Sequence, residues 1–217
     1  MNQPKPKKIR LLSTANVMDV VHRKFENLEG VWLKVLGTPV RHGFWIIYGS
    51  EKNGKTWFAL MLFLTLAKYA KCLYISGEEG ISANFQDTLK RIGLPKSNKG
   101  LNYYGYMTFE EIVAVLNGSR PPKVVFIDNI TFMMDELKGG RLKQLKVNYP
   151  DTLFICIAHQ EDKGTEPYTQ IAKTVKKLSE IILRVEGLTA LVSGRCPGGE
   201  IYVDEEKAQL FHGQKSA

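Results

Sequence analysis

The sequence predicts a three-layer α/β protein, with a mostly parallel central sheet and antiparallel strands at its C-terminal end. Three observations predict it. The runs FWIIY (44–48), CLYIS (72–76), VVFID (124–128) and LFICIA (153–158) are apolar throughout rather than alternating, which marks strands buried on both faces. Helical segments separate these runs, and such alternation builds a parallel sheet sandwiched by helices. After Glu180 the pattern changes: IILRVEG, LTALVSG and EIYVD follow one another with glycine turns, as antiparallel strands do.

Residues 1–13 read as a basic flexible arm, since the first ten hold four basic side chains, two prolines and no acid. Residues 14–217 read as a single domain, with no linker, repeat or low-complexity tract. Val17, Val20, Val21, Phe25 and Leu28 recur at helical spacing, predicting a helix over 14–28 capped by Ser13 or Thr14. Further helices are predicted at 55–69, at 82–92 (closed by Gly93 and Pro95), at 109–116, at 137–147 and at 168–179, and a short strand at 101–104.

The length of 217 residues suffices for one sizeable core. Hydrophobic residues at 44% against 24% charged exclude disorder as the dominant state. The net charge of +8 points to an anionic partner, leaving nucleic acid, nucleotide phosphates and acidic membranes open. Half of that excess sits in the first ten residues. Cys72, Cys156 and Cys196 fit neither a metal-ligand spacing nor an even-numbered disulfide framework. No apolar signal core follows the basic N-terminus, and the longest greasy stretch, Trp57 to Ala67, is about half of what a membrane helix needs. A soluble, cytoplasmic protein with no membrane partner is expected.

Residues 49–56 carry the sharpest signal. Gly49-Ser50-Glu51-Lys52-Asn53-Gly54-Lys55-Thr56 fits GxxxxGK[ST], between a strand and a helix that opens with Trp57 close behind. Backbone amides of such a loop and of the helix N-terminus converge on anionic oxygens. Lys55 would neutralise the β- and γ-phosphates, and the Thr56 hydroxyl would ligate Mg2+. The expected ligand is ATP with Mg2+. Asp128 ends an apolar strand, where a carboxylate either holds the metal's hydration shell or caps the next helix. Asn129 follows it, so a carboxylate that polarises water must come from elsewhere. Glu78 and Glu79, in YISGEEG, either supply it or merely stabilise a helix start.

Together these segments resemble the RecA/RadA/DnaB superfamily of ATPases. YISGEEG with the following NFQDTLKRIGL is similar to the RadA-type SGEES segment, VVFIDN to its Walker B strand, and LFICIAHQEDKG to the strand ending in a phosphate-sensing residue. The likeness runs from about Gly43 to Val203 and implies a RecA-type P-loop NTPase. It implies that Glu78 activates water, that His159 (or Gln160, one register on) senses the γ-phosphate, and that Arg195 is a basic finger reaching a neighbour's ATP. His159 as a simple sheet-edge residue and Arg195 as a solvated hairpin charge are the bland alternatives. The RadA KNRFG motif has no counterpart, SGRCPGG standing near its place; the pattern is similar to minimal phage or mobile-element ATPases. The resemblance further implies a homo-oligomer, ring or filament, acting on DNA in replication, recombination or repair. DNA would be met by loops 131–140 and 161–170 and by the lysines behind them, Lys138, Arg141, Lys143 and Lys146, then Lys173, Lys176 and Lys177, which are otherwise solvated helix faces. Tyr168 is the best candidate for base stacking. A P-loop kinase acting on a small molecule, and a nucleotide-gated scaffold, are the rival readings.

Overall fold

The computed structural model describes residues 11–94, 97 and 100–213. Most of the expected basic arm therefore lies outside the described residues. One eight-stranded sheet organises the rest, in the order β3-β2-β4-β5-β1-β6-β7-β8. The strands are β1 (Gly43–Gly49), β2 (Cys72–Ser76), β3 (Leu101–Tyr104), β4 (Val124–Asp128), β5 (Leu153–His159), β6 (Ser179–Glu186), β7 (Thr189–Gly194) and β8 (Gly199–Tyr202). The helices are α1 (Thr14–Met18), α2 (Gly30–Leu36), α3 (Lys55–Leu66), α4 (Ala83–Arg91), α5 (Phe109–Leu116), α6 (Met134–Leu137), α7 (Arg141–Asn148), α8 (Gln170–Leu178) and α9 (Glu205–Gly213). β1 to β6 pair in parallel; β7 and β8 return antiparallel.

The continuously apolar runs are the central strands, and each lies between two layers of helix. Trp45, Ile47, Tyr74, Phe126 and Ile155 face α2, α3 and α4 on one side, where Phe58, Phe63 and Phe85 complete an aromatic core. Phe44, Ile46, Ile75, Ile127 and Phe154 face α5, α7 and α8 on the other. Burying each such side chain stabilises the fold by about 1.5–3 kcal/mol. β6 alternates in burial, with Ile181, Leu183 and Val185 inward, because its other face is only half covered.

Two helices differ from the sequence expectation. The first stops at Met18 instead of reaching Leu28, and none of its residues is buried. Residues 23–25 instead pair with 39–41: Phe25 N–H donates to Pro39 O and Arg41 N–H to Arg23 O (both 2.9 Å). A chain committed to that extended pairing cannot continue a helix. The predicted helix 137–147 is broken at Gly139 and Gly140, which adopt φ of +67° and +87°. It becomes the short α6 and a later-starting α7. Helices α2 and α9 were not anticipated. Among the described residues no helix is long and apolar enough to cross a membrane.

Candidate nucleotide site

Strand order brings the chemistry-bearing residues to one edge. β2, β4, β5 and β1 lie side by side and parallel, so their carboxyl ends align. Gly49 pairs with His159, Ser76 with Asp128, and Asp128 with Ile157. A cleft of about 980 Å3 opens over this edge, its walls including Lys55, Thr56, Glu78, Asp128 and His159. Ligands of open α/β sheets sit at such carboxyl ends.

The loop from Gly49 to Thr56 leaves β1 and enters α3. Lys52 and Gly54 both take left-handed conformations, with φ of +58° and +90°, which folds backbone N–H groups into a concavity. Gly54 is the N-cap of α3; no side chain caps that end and its first turn holds no acid. The unpaired amides and the positive end of the helix thus face the loop. Lys55 is buried and donates from Nζ to the Ser50 carbonyl at 2.7 Å. Burial holds its ammonium below the ordinary lysine range, while Asp128, Glu51 and Glu78 pull the other way. Asn53 fastens the loop to the β6–β7 turn, its Oδ1 accepting from Gly187 N–H at 2.8 Å. In that turn Leu188 fills the space a side chain at Gly54 would need: a Cβ there would lie 2.5 Å from Leu188 Cδ2.

Asp128 meets the loop from across the cleft. The buried Tyr74 hydroxyl donates to its Oδ2 at 2.6 Å, fixing the carboxylate. Burial pushes the Asp128 carboxyl up to about 6, opposed by the Tyr74 hydrogen bond and Lys55. The donor set of Thr56 hydroxyl and Asp128 carboxylate is hard oxygen, and no cluster of three or more His, Cys, Asp or Glu able to hold a metal is found among the described residues. Two oxygen donors beside a phosphate loop fit Mg2+, which keeps several waters and takes its remaining ligands from phosphate.

Both paired acids line the cleft, but they take different partners. Glu78 Oε2 accepts from Asn129 Nδ2 at 2.6 Å, directing it toward the strand edge. Glu79 Oε1 accepts from Ser82 Oγ at 2.8 Å, at the start of α4, as expected of an acid at a helix N-terminus. The register question at the end of β5 is divided by position. His159 lines the cleft, whereas Gln160 donates to Gly164 O at 2.9 Å within its own loop. Burial and Lys55 hold the His159 imidazole below its usual range, so it is neutral near pH 7. Its Nδ1 is buried without a hydrogen-bond partner.

Arg195 stands apart. Gly194 pairs with Ile181 and Arg195 N–H donates to Glu180 O at 2.7 Å, which places it at the amino edge of the sheet. The phosphate loop is at the opposite edge. The Arg195 side chain is 82% exposed, with a 3.5 Å ion pair to Glu180. It takes no part in the cleft of its own chain.

No family model and no curated relative matches the sequence. Solved structures do. The flagellar accessory protein FlaH from Methanocaldococcus jannaschii superposes with a TM-score of 0.58 at 15% identity, over 82% of this chain and 91% of that one. The KaiC-like protein PH0186 from Pyrococcus horikoshii OT3 gives 0.57 at 12% identity, over 83% and 94%. The fold is that of the RecA-like P-loop proteins.

Around Trp57, which the sequence already places with the phosphate loop as nucleotide-binding, several residues of this RecA-like cleft escape sequence reasoning. Trp57 lies between two cations, Arg91 of α4 (5.2 Å to the ring centroid) and Lys207 of α9 (5.7 Å), and all three line the cleft. Arg91 stands in the quoted NFQDTLKRIGL, but only packing shows that it reaches the ring. Lys207 belongs to a helix the sequence did not announce. Tyr74 carried a faint signal, because a tyrosine in a strand buried on both faces needs a partner for its hydroxyl. Asn129, next to Asp128, joins Glu78 to His159. The expected DNA-side lysines are partly paired: Lys173 with Glu161 (2.5 Å), Lys176 with Glu166 (2.8 Å) and Lys138 with Asp135 (2.6 Å). Arg141 pairs with Glu110 and Glu136. Lys143, Lys146, Lys177 and Tyr168 are exposed.

Proposed function

We propose that the chain binds ATP with Mg2+ in this cleft and hydrolyses it. One observation carries the reading: a buried phosphate-loop lysine opens onto a cleft whose walls include Asp128, Glu78 and His159. Backbone amides of 49–56 and Lys55 hold the phosphates. Thr56 and Asp128 hold the cation, which offsets the charge on the transferring group. Glu78 orients the attacking water; position counts for more here than basicity. His159, whose ring lines the cleft beside the phosphate loop, takes the place of the residue that senses the terminal phosphate.

The proposal extends to assembly and to DNA. Arg195, exposed at the edge away from the cleft, would reach a neighbour's ATP in a head-to-tail homo-oligomer, a ring or a filament; its exposure supports this reading. DNA contact rests on Lys143 and Lys146 of α7 and Lys177 of α8, since the acids of 161–166 already occupy Lys173 and Lys176.

Phosphate release tests the core of the reading. Lys55→Ala should abolish turnover and weaken ATP binding. Glu78→Gln should keep binding and lose turnover by ~100-fold or more, the scale of a misplaced reactant. Full activity in Glu78→Gln would remove Glu78 from the mechanism, and a labelled small-molecule acceptor would make the protein a kinase. Repeating the assay with single-stranded DNA at rising salt reads the DNA part: stimulation should fall steeply with salt, and no stimulation at low salt removes DNA from the account.

A further inference from the structure

Asn129 is a buried polar residue whose amide is fully committed. Its Oδ1 accepts from Thr131 N–H at 2.9 Å, and its Nδ2 faces both Glu78 Oε2 (2.6 Å) and His159 Nε2 (3.0 Å). The orientation of the amide follows from these partners. A flip would set Oδ1 against a carboxylate oxygen and Nδ2 against a backbone N–H, each a clash of like groups. With Nδ2 fixed as the donor, His159 Nε2 must accept, so the imidazole proton belongs on Nδ1. One amide therefore decides the placement of the Glu78 carboxylate and the tautomer of His159.

We propose that Asn129 is a positioning residue that couples His159, beside the phosphate loop, to Glu78. The inference rests on the reading of the cleft as an ATP-hydrolysing site. Its Nδ2 hydrogens are divided between the two side chains, so a displacement of the imidazole is transmitted to the carboxylate through a single rigid group. Asn129 lines the same cleft, and its role in this proposal is to hold Glu78 and His159 in place rather than to carry the chemistry.

Two variants test this, with nucleotide binding, steady-state kinetics and imidazole 15N NMR as readouts. In the wild type the His159 nitrogens should report Nδ1–H with Nε2 as acceptor. Asn129→Ala should leave ATP affinity within ~3-fold, lower kcat by ~10-fold or more, and release the tautomer preference. Asn129→Asp keeps the shape but presents only acceptors. It should draw a second proton onto His159, whose other charged neighbours are Lys55, Glu78 and Glu51, and repel Glu78, so kcat falls and both imidazole nitrogens read as protonated near pH 7. An unchanged His159 signal in both variants overturns the coupling, even if kcat falls. An unchanged kcat in an active protein overturns it as well. If the wild type turns over no ATP, the functional reading fails by itself, and the NMR arm alone decides whether Asn129 sets the imidazole.

Discussion

At the scale of single residues, Asp128 makes a pH prediction whose sign follows from its surroundings. Burial favours the neutral acid and places its pKa near 6, so the carboxylate that would hold Mg2+ is lost as pH falls through that value. Protons and metal then compete for one site. The kcat/KM for Mg2+, which reports the free enzyme, should be flat above pH ~7 and fall about tenfold per unit well below pH 6. Tyr74→Phe removes the hydrogen bond that stabilises the charged form, so its acid limb should move to higher pH. A limb that stays in place would mean that Tyr74 packs against the site without tuning it. None of this tuning was readable from VVFID and CLYIS as strings, because it arises where Ser76 and Asp128 come into register.

At the scale of elements, the seam between β1 and β6 positions the phosphate loop. Gly49 ends β1, and a Cβ there would lie 2.0 Å from the Val185 carbonyl oxygen. Backbone cannot yield as a flexible side chain can. Gly49→Ala should therefore open the seam and destabilise the fold by ~1–3 kcal/mol, the usual cost of overpacking. That corresponds to a Tm lower by roughly 2–12 °C at this chain length, readable by calorimetry, with ATP binding weakened in parallel. A Tm within error of the wild type would show that β6 shifts freely. The central strands were legible because burial on both faces leaves an unbroken apolar run. The first helix was over-extended for a related reason: Phe25 and Leu28 are buried by tertiary contact, and their spacing from Val17 and Val21 imitates a helical stripe. α9 presents no such stripe, since only Ala208 is buried; Lys207 and Phe211 give it its place against Trp57 and the Gly187 turn.

At the scale of the whole molecule, the sheet separates two parts of the proposed machinery. Lys55, Thr56, Glu78, Asp128 and His159 share the cleft at the carboxyl edge, while Arg195 stands at the amino edge. The first group was legible because each residue sits in or beside a short local signature, and parallel strands bring such signatures to one edge. Arg195 was legible only as a residue type in a hairpin; its distance from the cleft depends on β7 running antiparallel to β6. A finger so placed acts between subunits or not at all, and mixing two inactive variants distinguishes these outcomes. Lys55→Ala retains Arg195 but lacks a working cleft; Arg195→Ala retains the cleft. In a head-to-tail assembly formed from equal amounts, about a quarter of the interfaces would join an intact cleft to an intact arginine. Phosphate release should rise on mixing toward about a quarter of the wild-type rate, and the gain should vanish on dilution below the assembly concentration. Arg195→Ala with wild-type turnover by itself, or two inactive variants that gain nothing when co-assembled, would leave Arg195 a solvated partner of Glu180 and place the stabilising charge wholly within one chain, on Lys55 and the bound cation.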